Sequence, residues 1–156
     1  MTVQEPKEHL QRLSRLFAPA PLYFITTCTH ARRALLAQDA VRDILVNEWT
    51  DSQVRHGWAV GSYVIMPDHV HFFCRASEGR KPLPRWMQAW KQWTSKALTT
   101  TLSNAVPVWQ PRFFDHVLRS DESYAEKWNY VFNNPVRAGL VTRAEDWRYY
   151  GSVHFD

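Results

Sequence analysis

Two β-rich runs, residues 58–66 and 69–75, are separated only by Pro67-Asp68. A two-residue break with turn chemistry joins such runs into an antiparallel hairpin, and the rest of the fold has to be built around it. The second run reads His69-Val70-His71-Phe72-Phe73-Cys74. Side chains alternate faces along a strand, so His69 and His71 share one face while Val70 and Phe72 take the other. Two imidazoles on one face can converge on a single metal ion, and the apolar residues behind them can enter a core. A strand histidine is also commonly a hydrogen-bonded polar residue and nothing more, and an exposed pair needs no ligand at all. On spacing alone both readings stay open.

Around this hairpin the remaining elements fall into a simple order. Residues 1–20 read as an irregular or partly helical lead-in, closed by Ala18-Pro19-Ala20-Pro21. Residues 22–29, Leu-Tyr-Phe-Ile-Thr-Thr-Cys-Thr, are β-formers. Val41, Ile44, Leu45 and Trp49 follow helical spacing, which predicts a helix near 39–55 that stops at Gly57. A second helix is predicted from about 83 to 102, and a short strand over 113–119. Ser120-Asp121-Glu122 opens a helix well, with a hydroxyl cap and acids in the first turn, and that helix runs to about 133. Pro135 stops it, and Asn134-Pro135 starts a short helix through about 141, with Asn134 as cap and Pro135 in the first turn. The order β-α-β-β-α-β-α predicts an α+β fold, a ferredoxin-like antiparallel sheet with helices packed on one face. We expect one domain over 1–156, with a core of about 22–142 and an aromatic tail at 143–156.

Charge and composition narrow the partners. Nineteen Lys and Arg oppose fifteen Asp and Glu, a formal net charge of +4, and the chain carries eight Trp, eight Phe and six Tyr. A basic chain whose aromatics interleave with cations suits unpaired nucleic acid, where bases stack on rings and cations hold phosphates. On the helix of residues 83–102, Arg85, Gln88, Gln92 and Lys96 form a stripe beside the apolar one. A solvated face is the commoner reading of such a stripe; the functional one is a basic, amide-rich surface for nucleic acid. Cys28 and Cys74 lie in strand-like runs and are expected to be free thiols in a reducing compartment, although the sequence leaves a disulfide open. The polar first residues make no secretory signal, and no apolar run is long enough to span a membrane, so the expected location is the cytoplasm.

On the helix of residues 121–133, Tyr124, Trp128 and Val131 form the core stripe. Tyr130 stands about 200° from Trp128, on a face shared with Lys127 and, if the helix persists, Asn134. Surface tyrosine is the ordinary reading of such a position. A tyrosine can also attack phosphorus to give a 5′-phosphotyrosine and a free 3′-hydroxyl. With a phenol pKa near 10 it needs help at neutral pH, and a divalent ion at the phosphate supplies it. The histidine pair and this tyrosine make a chemically coherent set.

Met66-Pro67-Asp68-His69-Val70-His71, together with Tyr130 through Val141 (YVFNNPVRAGLV), resembles the single-tyrosine transposases of the His-hydrophobic-His class, in particular the REP-associated tyrosine transposases of bacteria. Residues 108–119 (VWQPRFFDHVLR) and the Phe24-Ile25-Thr26-Thr27 strand are similar to that family as well, and the likeness spans roughly 22–150. The resemblance implies a ferredoxin-like sheet with the histidines on a central strand. It implies Mg²⁺ or Mn²⁺, hairpin-bearing single-stranded DNA as partner, and strand cleavage and rejoining by a monomer or homodimer at the nucleoid. It assigns His69 and His71 as metal ligands, Tyr130 as nucleophile and Asn134 as the polar residue that completes the metal shell. Simple capping of the next helix by Asn134 is physically at least as favoured, and the two roles compete because a capping side chain is already engaged. Asp68 stands where many relatives carry Asn, and either adds charge near the ion or shapes the turn. His116 and Asp115 are further polar candidates. Arg137 anchors a phosphate or caps a carbonyl; with Arg112 and the stripe Arg85, Gln88, Gln92 and Lys96 it makes the candidate DNA-binding set. Two other functions fit the same residues: a DNA-binding module derived from such an enzyme and lacking catalysis, and a metal-dependent phosphodiesterase that uses water and forms no protein–DNA bond.

Overall fold

The computed structural model describes residues 20–103, 105–119 and 121–156. The lead-in of residues 1–19 and the Ser120 cap lie outside the described residues.

The elements run β1 (Leu22–Cys28), a 3₁₀ turn (His30–Arg32), α1 (Asp39–His56), β2 (Trp58–Ile65), β3 (His69–Ala76), α2 (Leu83–Thr101), β4 (Phe114–Leu118), α3 (Asp121–Phe132), α4 (Asn134–Arg137), a second 3₁₀ turn (Ala144–Asp146) and β5 (Tyr150–Ser152). The strands form one sheet in the order β4-β1-β3-β2-β5, with every neighbouring pair antiparallel. The first four strands have the ferredoxin-like order, as expected. β1 and β2 run parallel with β3 between them, so α1 is a crossover; α2 plays the same part between β3 and β4. Right-handed crossovers place both helices on one face of the sheet.

That face holds the larger core. Ile25, Val60, Val70, Phe72 and Cys74 from the sheet meet Val41, Leu45 and Trp49 of α1 and Trp86, Met87, Trp90 and Leu98 of α2. Indole rings stack across it, Trp49 on Trp90 at 5.6 Å and Trp58 on Trp86 at 5.1 Å between centroids. Trp49 is fully buried, and Trp49→Ala is expected to cost about 3–5 kcal/mol in denaturant unfolding, because so large a void cannot close. α1 ends at Gly57, which is left-handed (φ +74°); a Cβ there would come within 2.5 Å of the Arg80 backbone, so both the turn and the close approach require glycine.

The opposite face carries the last helix, where the sequence predicted helices on one face only. Tyr124, Trp128 and Val131 of α3 pack on Phe24, Val64, Met66, Phe73 and Leu118. These are the three residues of the predicted core stripe. Three further differences appear. The short helix α4 ends at Arg137 and not near 141, and its capping position is Asn133, so Asn134 is its first helical residue and Pro135 follows. Gly139 (φ +74°) then turns the chain away. Residues Tyr150–Ser152 add a fifth strand beside β2 that the sequence did not signal. Cys28 and Cys74 are both free thiols. Among the described residues no helix is long and apolar enough to cross a membrane.

Candidate active site on the central strand

β3 is the middle strand of the five, so its side chains are covered from both sides. Val70, Phe72 and Cys74 enter the larger core, which turns His69, His71 and Phe73 toward α3. Register with β1 then decides the neighbours: Cys28 lies opposite His69, Thr26 opposite His71 and Phe24 opposite Phe73. Packing of the α3 stripe on Phe24 and Phe73 carries the α3–α4 junction over the two histidines.

Three side chains converge there. His69 Nε2 and His71 Nε2 are 3.1 Å apart, and Asn134 Nδ2 lies 3.2 Å from the first and 3.1 Å from the second. The far nitrogens are held from behind. His69 Nδ1–H donates to Asp68 Oδ1 at 2.7 Å, and Arg32 Nε donates to the other carboxylate oxygen at 2.9 Å. His71 Nδ1 is 2.8 Å from Thr26 Oγ1, and Phe24 stacks on its ring at 5.3 Å. With Nδ1–H donating to Thr26, both Nε2 atoms present lone pairs to the same point.

The electrostatics agree with that assignment. Burial pushes His71 down to about 3, and a proton on His69 and the cations Lys127, Arg137 and Arg32 act in the same direction. Burial lowers His69 too, against the pull of Asp68. Burial tends to raise the Asp68 carboxyl, but the hydrogen bonds from His69 and Arg32 outweigh this and hold it below its ordinary value. Both imidazoles are therefore neutral near pH 7, the form that ligates metal. Two facing lone pairs repel unless a cation or a proton lies between them. An octahedral ion with bonds of about 2.1 Å holds adjacent donors about 3 Å apart, close to the spacing seen here. Turning the Asn134 amide over brings its oxygen to the same point. The donor set of two imidazoles and an amide thus fits a divalent ion, with Asp68 and Thr26 orienting the rings as second partners of ligating histidines do. Among the described residues no three His, Cys, Asp or Glu side chains are placed to hold one ion together; here the third converging group is an amide. Asp68→Ala is expected to weaken divalent-ion binding about 10–100-fold, read by Mn²⁺ titration, while Asp68→Asn keeps an acceptor for His69 and loses less.

Tyr130 is 61 % exposed, and its ring lies beneath the Arg137 guanidinium at 3.8 Å from the centroid. It also forms a wall of a cavity of about 370 Å³ with His116, Leu118, Ser123, Glu126 and Lys127. Phe114, 59 % exposed, lies on β4 one alternation before His116, so both side chains face this side of the sheet. Asn134 makes no cap; the neighbouring Asn133 side chain donates to Asn129 O, and Asn134 is left to the histidines.

The remaining candidates are not brought to this place. Arg85, Gln88, Gln92 and Lys96 are exposed on α2, which packs on the other face of the sheet. Gln88 and Gln92 border a separate cleft of about 660 Å³ between α2 and residues 106–113. Lys91 sits in that cleft, donating to Gln110 O at 2.7 Å and Arg112 O at 2.8 Å, and burial lowers its amine to about 8. Arg112 itself is exposed on the segment before β4. Arg32, Thr26 and Lys127 join the site without having been singled out. Arg32 and Thr26 are placed by pairing and turn geometry that no local pattern announces, whereas Lys127 shares the Tyr130 helix face at i, i+3 spacing.

Comparison with known proteins gives one consistent picture. Residues 21–133 match the family model described as transposase IS200 like. A REP-associated tyrosine transposase of Escherichia coli (strain K12) is 33% identical over 89 residues, covering 56% of this chain and 50% of that protein, so the match spans half of that relative's length. A Haemophilus influenzae relative is 24% identical over 157 residues, covering 91% of this chain and 85% of its own. The solved structure of a REP-associated tyrosine transposase bound to a REP hairpin superposes with a TM-score of 0.70 at 24% identity, covering 85% of this chain and 76% of that one. At that identity the likeness shows the fold.

Proposed function

Because the chain belongs to the IS200-like transposase family, we propose that it cuts and rejoins hairpin-bearing single-stranded DNA through a 5′-phosphotyrosine at Tyr130. The convergence of His69, His71 and Asn134 beneath the helix that carries Tyr130 is the observation that supports this reading most.

His69, His71 and Asn134 would hold Mg²⁺ or Mn²⁺. Such an ion, when bound, neutralises charge on the scissile phosphate. The chain's own groups do the rest. The Tyr130 phenol oxygen attacks phosphorus, the bond from phosphorus to the 3′-oxygen breaks, and that oxygen leaves as a 3′-hydroxyl. Arg137, its guanidinium 3.8 Å from the Tyr130 ring centroid, fixes the direction of the phenol. Asp68 and Thr26 hold the imidazoles still. A later 3′-hydroxyl attacks the phosphotyrosine and restores the strand, so the energy of the phosphodiester is kept throughout. Exposed Phe114 and Tyr130 offer rings on which splayed bases stack. The relative solved with a REP hairpin suggests a hairpin as the bound element. Arg137, in contact with Tyr130, is placed to serve the reacting strand, whereas Arg85, Gln88, Gln92, Lys96 and Arg112 would meet a different part of the DNA. We place the activity at the nucleoid in the cytoplasm.

The test is a denaturing gel with hairpin-bearing single-stranded DNA, labelled at either end, and Mg²⁺ or Mn²⁺. Label migrating with the protein supports the tyrosine reading. Cut DNA without label on the protein supports a water-using nuclease. A mobility shift without cutting leaves a binding module.

A further inference from the structure

Lys127 has no assigned part in the reaction, yet its surroundings are unusual for a lysine. Its ammonium lies 4.5 Å from the centroid of Phe24 and 5.9 Å from that of Tyr130. Phe24 is itself buried and stacked on His71. The charge therefore sits between the ring that backs a histidine of the site and the ring of the candidate nucleophile. It is half-buried, and among the described residues the contacts recorded for it are ring faces, with no carboxylate in ion-pair range. Glu126, its neighbour in sequence, borders the same cavity of about 370 Å³ without pairing with it. Arg137, which is exposed, makes the other cation contact of Tyr130, its guanidinium 3.8 Å from the ring centroid. Two cations thus lie against one tyrosine ring, and among the described residues no carboxylate pairs with either. A cation held over aromatic faces and left without a counter-ion is arranged for an anion that arrives with the ligand.

We propose that Lys127 is a catalytic residue whose ammonium binds a non-bridging oxygen of the scissile phosphate on the Tyr130 side. The inference rests on the reading of Tyr130 as nucleophile. Lys127 keeps all its protons. The bond from the phenol oxygen to phosphorus forms and the bond to the 3′-oxygen breaks; the proton lost by the phenol passes to solvent, and the 3′-oxygen takes one up. Charge on the non-bridging oxygens must be matched as the phenol oxygen approaches. A fixed ammonium there favours the transition state over the free DNA, because its position is set before the strand arrives. The competing explanation is packing alone, since a lysine stem often covers apolar surface while its head reaches for water. Lys127→Met separates the two, because it keeps the stem and removes the charge.

The experiment uses the full chain, saturating hairpin-bearing single-stranded DNA and Mg²⁺ or Mn²⁺. It compares wild type, Lys127→Met, Lys127→Arg and Tyr130→Phe in single-turnover cutting, in hairpin affinity and in thermal unfolding. The expected result is a loss of about 10²-fold in the cutting rate for Lys127→Met, with affinity within about threefold of wild type and recovery to within about tenfold in Lys127→Arg. Cutting by Lys127→Met at the wild-type rate while Tyr130→Phe is inactive overturns the inference and leaves the tyrosine reading intact. A loss of affinity in place of rate overturns it as well, since Lys127 then holds a phosphate away from the reacting one. Cutting by Tyr130→Phe at the wild-type rate overturns the reading beneath it. Lys127→Gln, run in parallel, distinguishes loss of charge from a thioether that packs badly.

Discussion

Tyr130→Phe is expected to end covalent capture of DNA and to slow strand cutting by at least about 10⁴-fold, because removing a nucleophile leaves only binding and electrostatic assistance behind. The side chain is 61 % exposed and makes its recorded contacts through its ring, which phenylalanine preserves. Fold and hairpin affinity should therefore stay at wild-type levels. Single-turnover cutting, paired with a mobility-shift titration, separates chemistry from binding. A protein that still cuts but carries no label would move the nucleophile from tyrosine to water.

The second large effect is expected at the histidines. His71→Ala removes one of two facing Nε2 donors and opens a void behind Phe24 and Thr26. His69→Ala removes the other donor and strands the Asp68 carboxylate with Arg32 alone. Each should lower metal-dependent cutting by about 10³-fold, the equivalent of several kcal/mol of charge stabilisation at the phosphate. The defect should shrink as Mn²⁺ is raised if weakened binding is its cause. Rates unchanged in defined metal would remove both residues from the role of ligands. Between the two, His69 should respond more to the state of Asp68, because only His69 leans on that carboxylate.

The histidine pair was legible because three local signals coincide: a turn dipeptide, strand periodicity and an i, i+2 spacing that survives any choice of partner strand. The core stripe of α3 was legible for the same reason, since Tyr124, Trp128 and Val131 repeat with the helix. What sequence could not supply was the third dimension. Thr26 reaches His71 through the register of β1 on β3, which no stretch of either strand encodes alone. Arg32 reaches Asp68 across a 3₁₀ turn and 36 residues of chain. The competition at Asn134 between capping and ligation was unreadable because Asn133 and Asn134 are adjacent and chemically identical; the fold gives the capping position to the first and turns the second toward the histidines. The stripe on α2 is polar and exposed, but periodicity does not say which sheet face a helix will cover. The crossovers put it on the far side from the histidines, so any DNA it touches lies away from the reacting phosphate. β5 escaped notice because three residues, Tyr150-Gly151-Ser152, carry no strand pattern; they become a strand only where β2 offers its free edge.

The most direct measurement is intact-mass spectrometry of the protein after incubation with hairpin-bearing single-stranded DNA and Mn²⁺, followed by peptide mapping. The account predicts a protein whose mass has grown by that of the 3′-side DNA fragment, with the attachment mapped to Tyr130 and absent from Tyr130→Phe. Cut DNA with an unmodified protein mass, or attachment at any other residue, would contradict it.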